Sequence, residues 1–163
     1  MDPSGPSILV PIFTPSHLGK WENLYRDLVE GERISLTPQG TWMLADKPGL
    51  VCVFDDEEIV YLAGCSSISR TIQAWIKGGS SNELRVMIAT VELGVSPKSA
   101  IARVKTNSIS KRVDKITLRL KFRVIPVPPT LLESLASAFL AIADPRYNGQ
   151  TTLANLAIDA LPK

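Results

Sequence analysis

Two apolar bursts, GLVCVF at residues 49–54 and EIVYLA at residues 58–63, stand either side of Asp55-Asp56-Glu57 and restrict the fold more than any other feature of the chain. Each is rich in valine and isoleucine, which suit a pleated strand, and the three residues between them leave room only for a tight reversal. An antiparallel hairpin follows. Neither strand alternates apolar with polar residues, so both faces of the hairpin are predicted to be covered.

The rest of the chain supplies the cover. Thr14-Pro15 places a capping residue ahead of a proline, and Leu18, Trp21, Leu24, Tyr25, Leu28 and Val29 then recur at helical spacing up to Gly31, predicting a helix over 15–30. Gly19 lies inside that pattern, so the first turn is expected to fray or the helix to begin at Lys20. RISLTPQGTWML, with Thr37-Pro38-Gln39-Gly40 between two apolar stretches, reads as a small hairpin. After the central hairpin, Ser66 or Ser67 caps a helix carrying Ile68, Ile72, Trp75 and Ile76 on one side and ending at Gly78-Gly79. ELRVMIATVEL reads as a helix capped by Asn82, with a strand as the alternative, and Ser96-Pro97 opens another helix through about Lys105. In KITLRLKFRVI, residues 115–125, apolar side chains alternate with Lys115, Thr117, Arg119, Lys121 and Arg123, predicting a long strand with four cations on its wet face. Thr130 begins a helix to about Ala143, stopped at Asp144-Pro145, and a last helix is expected from about Thr152 to Ala160. The fold class is α+β: a small antiparallel sheet of about three core strands flanked by helices, with an amino-terminal helix and hairpin extension over 1–45 and the main domain, with its carboxy-terminal helix, over 46–163.

Composition closes off several kinds of chemistry. With two cysteines lacking CxxC spacing and His17 the single histidine among 163 residues, a His/Cys zinc site is excluded, and a Ser/His/Asp triad would have to rest on His17. No apolar run approaches the roughly 20 residues of a membrane span, and MDPSGPS has no secretory-leader pattern, so an intracellular, cytoplasmic protein without a membrane partner is expected. Charge is unevenly spread: residues 1–60 carry ten acids against four bases, a balance of −6, and residues 61–163 carry fourteen bases against six acids, a balance of +8. From Lys98 to Arg123 the cations Arg103, Lys105, Lys111, Arg112, Lys115, Arg119 and Lys121 are interrupted by Asp114 alone. Such a stretch points to a polyanion, with an acidic protein or the 55–58 acids of a second copy as the competing partner. The strand alternation places no aromatic among these cations, which disfavours a dedicated single-strand binder.

Gly49-Leu50-Val51, Tyr61-Leu62-Ala63, a following helix with Arg70 and Thr71, and a late helix leading into Pro145-Arg146-Tyr147-Asn148 together resemble the GIY-YIG endonuclease domain across roughly residues 48–150. That family carries a tyrosine on each of two strands, an arginine on the next helix, a metal-binding glutamate on the late helix and an asparagine after it. The resemblance implies catalytic positions at Tyr61, Arg70, Glu133 and Asn148, Mg²⁺ held by Glu133 if the domain is active and no cofactor otherwise, and a nucleic acid, DNA in the first instance, on Lys105, Lys111, Arg112, Lys115, Arg119, Lys121, Arg123 and Arg146. The register departs from the family at three points. Val51 stands for the first tyrosine, Thr71 for the arginine with Arg70 one residue away, and Ala136 for the glutamate with Glu133 one turn earlier. Thr130 and Glu133 also have capping-box spacing. The expectation is a nuclease-like module with an eroded site that binds nucleic acid or serves in assembly. Its rivals are an active Mg²⁺-dependent endonuclease with shifted residues and a protein-interaction domain using the helix at 15–30, the partner being another protein or a second copy of the chain.

Overall fold

A computed structural model describes residues 14–41, 43–77, 83–96 and 107–148. In chain order, a 3-10 helix over Pro15–Trp21 leads into α1 (Glu22–Glu30), β1 (Ile34–Ser35), α2 (Pro38–Thr41), β2 (Gly49–Asp55) and β3 (Glu58–Cys65). Then come α3 (Ile68–Lys77), α4 (Glu83–Leu93), α5 (Asn107–Arg119), β4 (Lys121–Pro126) and α6 (Pro129–Ala143). The protein is α+β, with a four-stranded antiparallel sheet in the order β1-β4-β2-β3.

The β2–β3 hairpin forms where the apolar bursts predict it. Val51 faces Ala63 and Val53 faces Tyr61, with a bulge between Val53 and Phe54. Asp56, at φ 52°, turns the chain. Both faces of β2 are covered, as its continuous apolar sequence requires. Val51 and Val53 enter one core with Tyr61, Ile72, Trp75, Ile88, Val113 and Phe122. Leu50, Cys52 and Phe54 enter a second with Tyr25, Leu28, Leu62, Leu135 and Phe139. The period of two thus divides a wholly apolar strand between α3, α4 and α5 on one side and α1 and α6 on the other.

Gly49 is explained by close approach. A Cβ there would run into the Ile125 carbonyl and the Ile68 side chain, so the first residue of β2 must have none. Ser67 caps α3, accepting from the Arg70 amide at 3.3 Å, while its hydroxyl donates to Asp46. Residues 83–93 are helical. At the amino terminus, the Thr14 amide donates to His17 Nδ1 at 2.9 Å, and Gly19, at φ 56° and ψ −122°, breaks the helix into a 3-10 turn and α1.

Four expectations are corrected. Residues 115–125 are not one strand, because Lys115 to Arg119 complete α5 and β4 begins only at Lys121. The helix buries Val113, Thr117 and Leu120, with Ile109 and Ile116 packed beside them, while Leu118 is 64% exposed. That spacing of three and four residues outweighs the short alternation that overlaps it. Lys115, Arg119, Lys121 and Arg123 consequently share no strand face. The small hairpin at 33–44 has one arm: Ile34–Ser35 pairs with Lys121–Phe122, but Pro38 starts the short helix α2, its fixed φ suiting a first helical turn. The Thr130–Glu133 capping box is absent, since Pro128 is the N-cap and Pro129 occupies the first turn of α6. The helices expected at 97–105 and 152–160 lie outside the described residues.

Candidate functional site

Tyr61 stands on β3 among buried neighbours, its ring edge-on to Trp75 with centroids 5.6 Å apart. Burial first, then the charge of Glu83 at the start of α4, drives its pKa well above the ordinary 10.0. Beside it lies a cavity of about 400 Å³ between β3 and α3, lined by Val51, Tyr61, Cys65, Thr71, Trp75 and Glu83 among others. Cys65 donates from Sγ to the Gly49 carbonyl at 3.5 Å, and burial raises its thiol pKa. Cys52, deeper in the sheet, is pushed up to about 12 by burial. Both cysteines are free thiols.

The four positions implied by the resemblance are distributed over different surroundings. Arg70 points to solvent, 80% exposed, 3.6 Å from the Asp46 carboxylate. Glu133, exposed on α6, lines a separate, shallow pocket of about 340 Å³ with Gly64, Leu132, Ala136 and Ser137, and Gly64 is common to both pockets. Asn148 bonds the edge of β3: the Leu62 amide donates to Oδ1 at 2.8 Å, and Nδ2 donates to the Leu62 carbonyl at 2.8 Å. The side-chain amide thereby continues the sheet by one bonded position.

The divalent ion implied by the resemblance would need oxygen ligands around Glu133. The described neighbours in its pocket offer one hydroxyl, Ser137, and no second carboxylate. Among the described residues no group of three or more His, Cys, Asp or Glu is gathered at one point. This donor set does not fit the ion.

The cations divide into two classes. Arg123 is structural: its guanidinium donates to the Asp27 carbonyl, to the Glu32 carbonyl at 3.1 Å and to the Asp27 carboxylate at 2.6 Å, tying β4 to α1. Arg146 meets Glu92 at 2.7 Å, Asp55 at 3.2 Å and Glu58 at 3.3 Å. Arg119 forks onto Asp55 at 2.9 and 3.2 Å. Fully buried Tyr147 donates to Glu92 at 2.9 Å, and burial and that carboxylate push its pKa up to about 12. Lys111, Arg112, Lys115 and Lys121 are exposed, with no described acid within ion-pair distance of any of them. At 100° per residue, Lys111, Lys115, Arg119 and Arg112 fall within an arc of roughly 100° on the solvent side of α5, opposite Val113 and Leu120. Lys105 lies outside the described residues.

Comparison with family models, curated proteins and solved structures finds no match for this chain. No described helix is long and apolar enough to cross a membrane.

Three partners escaped the sequence reading. Glu83 acts by its charge on a tyrosine 22 positions earlier, Asp55 receives Arg119 and Arg146, and Asp114 meets the buried Arg85 at 2.7 Å. Nothing local announces the first two. The third is suggested by Arg85 standing inside the apolar run ELRVMIATVEL, where a cation must find a counter-charge if it is buried.

Proposed function

We propose that this chain is a nuclease-like module of GIY-YIG type that holds a nucleic-acid backbone through α5 and does not cleave it. The observation carrying this reading is the cationic arc of Lys111, Arg112 and Lys115, unpaired among the described residues and carried on a helix whose opposite side is buried, with Lys121 following on β4. A merely solubilising face mixes charge signs. Here Asp114, the acid of α5, is drawn towards Arg85 at the flank of the arc. Lysine and arginine at this spacing offer charge to phosphates without reading bases, so double-stranded DNA of any sequence is the natural ligand.

The absence of cleavage rests on positions. A phosphodiesterase of this kind needs a carboxylate-held ion, a guanidinium and a phenol directed at one phosphate, and misplacement by an ångström costs about a hundredfold. Tyr61 lies buried beside Glu83 in the cavity wall, Arg70 lies beside Asp46, and Glu133 opens onto another pocket. Asn148 has a structural office on β3. The interaction-domain reading would have to use the outer, charged side of α1, because Tyr25 and Leu28 are buried in the second core and Leu24 packs beside them. An intracellular, cytoplasmic setting belongs to the same proposal.

Retention of a plasmid fragment on the protein at low salt tests the binding, and incubation of plasmid with Mg²⁺ tests the chemistry. The proposal expects retention without nicking, with or without chelator. Metal-dependent nicking abolished by Glu133→Ala would replace it with the endonuclease reading.

A further inference from the structure

We infer that the cavity between β3 and α3 receives one unpaired nucleobase carrying an exocyclic amine, with Glu83 accepting from that amine. This rests on the nucleic-acid reading above and extends it from backbone contact to base contact. The cavity's volume of about 400 Å³ is within the range of sites for small ligands. Its described lining holds no cation and one carboxylate, Glu83. A phosphate or any other anion placed there would meet a like charge with nothing to offset it, so the occupant is neutral or a donor.

The shape of the lining narrows the class further. Val51 and Trp75 lie buried beneath the cavity, Ala63, Gly64 and Ala74 border its opening with little bulk so that a flat ring can enter, and the hydroxyl of Thr71 supplies a second polar point. Glu83 is exposed on the cavity wall, and an ionised carboxylate has about four acceptor sites, so it can accept from a ligand there. Bases extruded from a helix are read by hydrogen bonding along their pairing edge inside a pocket that fits them. Cytosine offers an amine where uracil offers a carbonyl oxygen, which a carboxylate repels.

Calorimetric titration of the full chain with cytidine and with uridine tests the inference without using DNA. Cytidine is expected to bind roughly tenfold or more tightly than uridine. Glu83→Gln is expected to bring the two nucleosides to near parity. Ala74 is an exposed residue of α3 on the cavity wall, and Ala74→Phe is expected to abolish binding of both while leaving the melting temperature unchanged. No binding of cytidine up to about 10 mM, equal binding of the two nucleosides, or cytidine binding that survives Ala74→Phe would overturn it. Retention of DNA by α5 is indifferent to these results, because the arc and the cavity share no residue. Loss of that retention with cytidine binding intact would refute the backbone reading alone.

Discussion

Asn148 shows how a residue that the resemblance marks as catalytic also completes a strand. Its amide satisfies both the N–H and the carbonyl of Leu62, two groups that would otherwise face outward at the edge of β3. Asn148→Ala removes both bonds and is expected to lower stability by about 1–3 kcal/mol in urea unfolding, while Asn148→Gln, one methylene longer, recovers little of it. A change below about 0.5 kcal/mol would contradict the geometry. Tyr147 gives a pH dependence of definite sign. Its phenol keeps its proton in the folded protein up to about 12, against an ordinary 10.0. A group whose pKa is raised by folding contributes stability that is complete below its unfolded value and is lost as pH rises through the folded one. Cys52, raised from 9.0 to about 12, acts in the same direction. The melting temperature should therefore fall progressively between about pH 9 and 12, and the double variant Tyr147→Phe with Cys52→Ala should show a shallower fall from a lower starting point. Neither position was legible in the sequence as a titrating group, since burial by distant elements causes both shifts.

Legibility at the scale of elements depended on how many residues voted for one period. The β2–β3 hairpin was plain because twelve apolar-rich residues and a three-residue acidic turn agree, and α3 was plain because Ser67, Ile68, Ile72 and Trp75 supply a cap and a stripe together. The chain from 107 to 126 was not. Lys115 to Val124 alternates as a strand does, while Ile109, Val113, Ile116 and Leu120 recur as a helix does, and the two patterns overlap across six residues. The helix prevails to Arg119 because Thr117, the polar residue it buries, donates to the Val113 carbonyl at 2.8 Å, an arrangement only a helix offers. Leu118 then separates the two readings experimentally. Leu118→Glu should change stability by less than about 0.5 kcal/mol, whereas Val113→Ala should cost about 2 kcal/mol. Equal and large losses would restore the strand. The cations were found from the sequence as a group, but their division into paired and outward-facing members required the positions of Asp27, Asp55 and Glu92, which lie far away along the chain.

The whole molecule is three layers, with α1 and α6 on one face of the sheet and α3, α4 and α5 on the other. The first 45 residues contribute β1 to the same sheet and set Tyr25 edge-on to Phe139 at 5.1 Å, over Leu50, Cys52 and Phe54. Removing residues 1–45 should therefore uncover one apolar face, and the remainder should bind a hydrophobic dye and lose its cooperative melting transition. A truncated chain that melts as the full one does would show that the extension is dispensable to the core. On the proposed reading the layer arrangement also separates function from support, because Arg119, Arg123 and Arg146 are paired with acids, whereas Lys111, Arg112 and Lys115 of α5 face outward. The most direct measurement of that claim is the dependence of duplex DNA affinity on salt, for the full chain and for the triple variant Lys111→Glu, Arg112→Glu, Lys115→Glu. Each phosphate contact contributes about 0.9 to the slope of log affinity against log salt, so the variant should lose roughly 2.7 units of slope while keeping its melting temperature. An unchanged slope in a folded variant would mean that α5 does not hold the backbone.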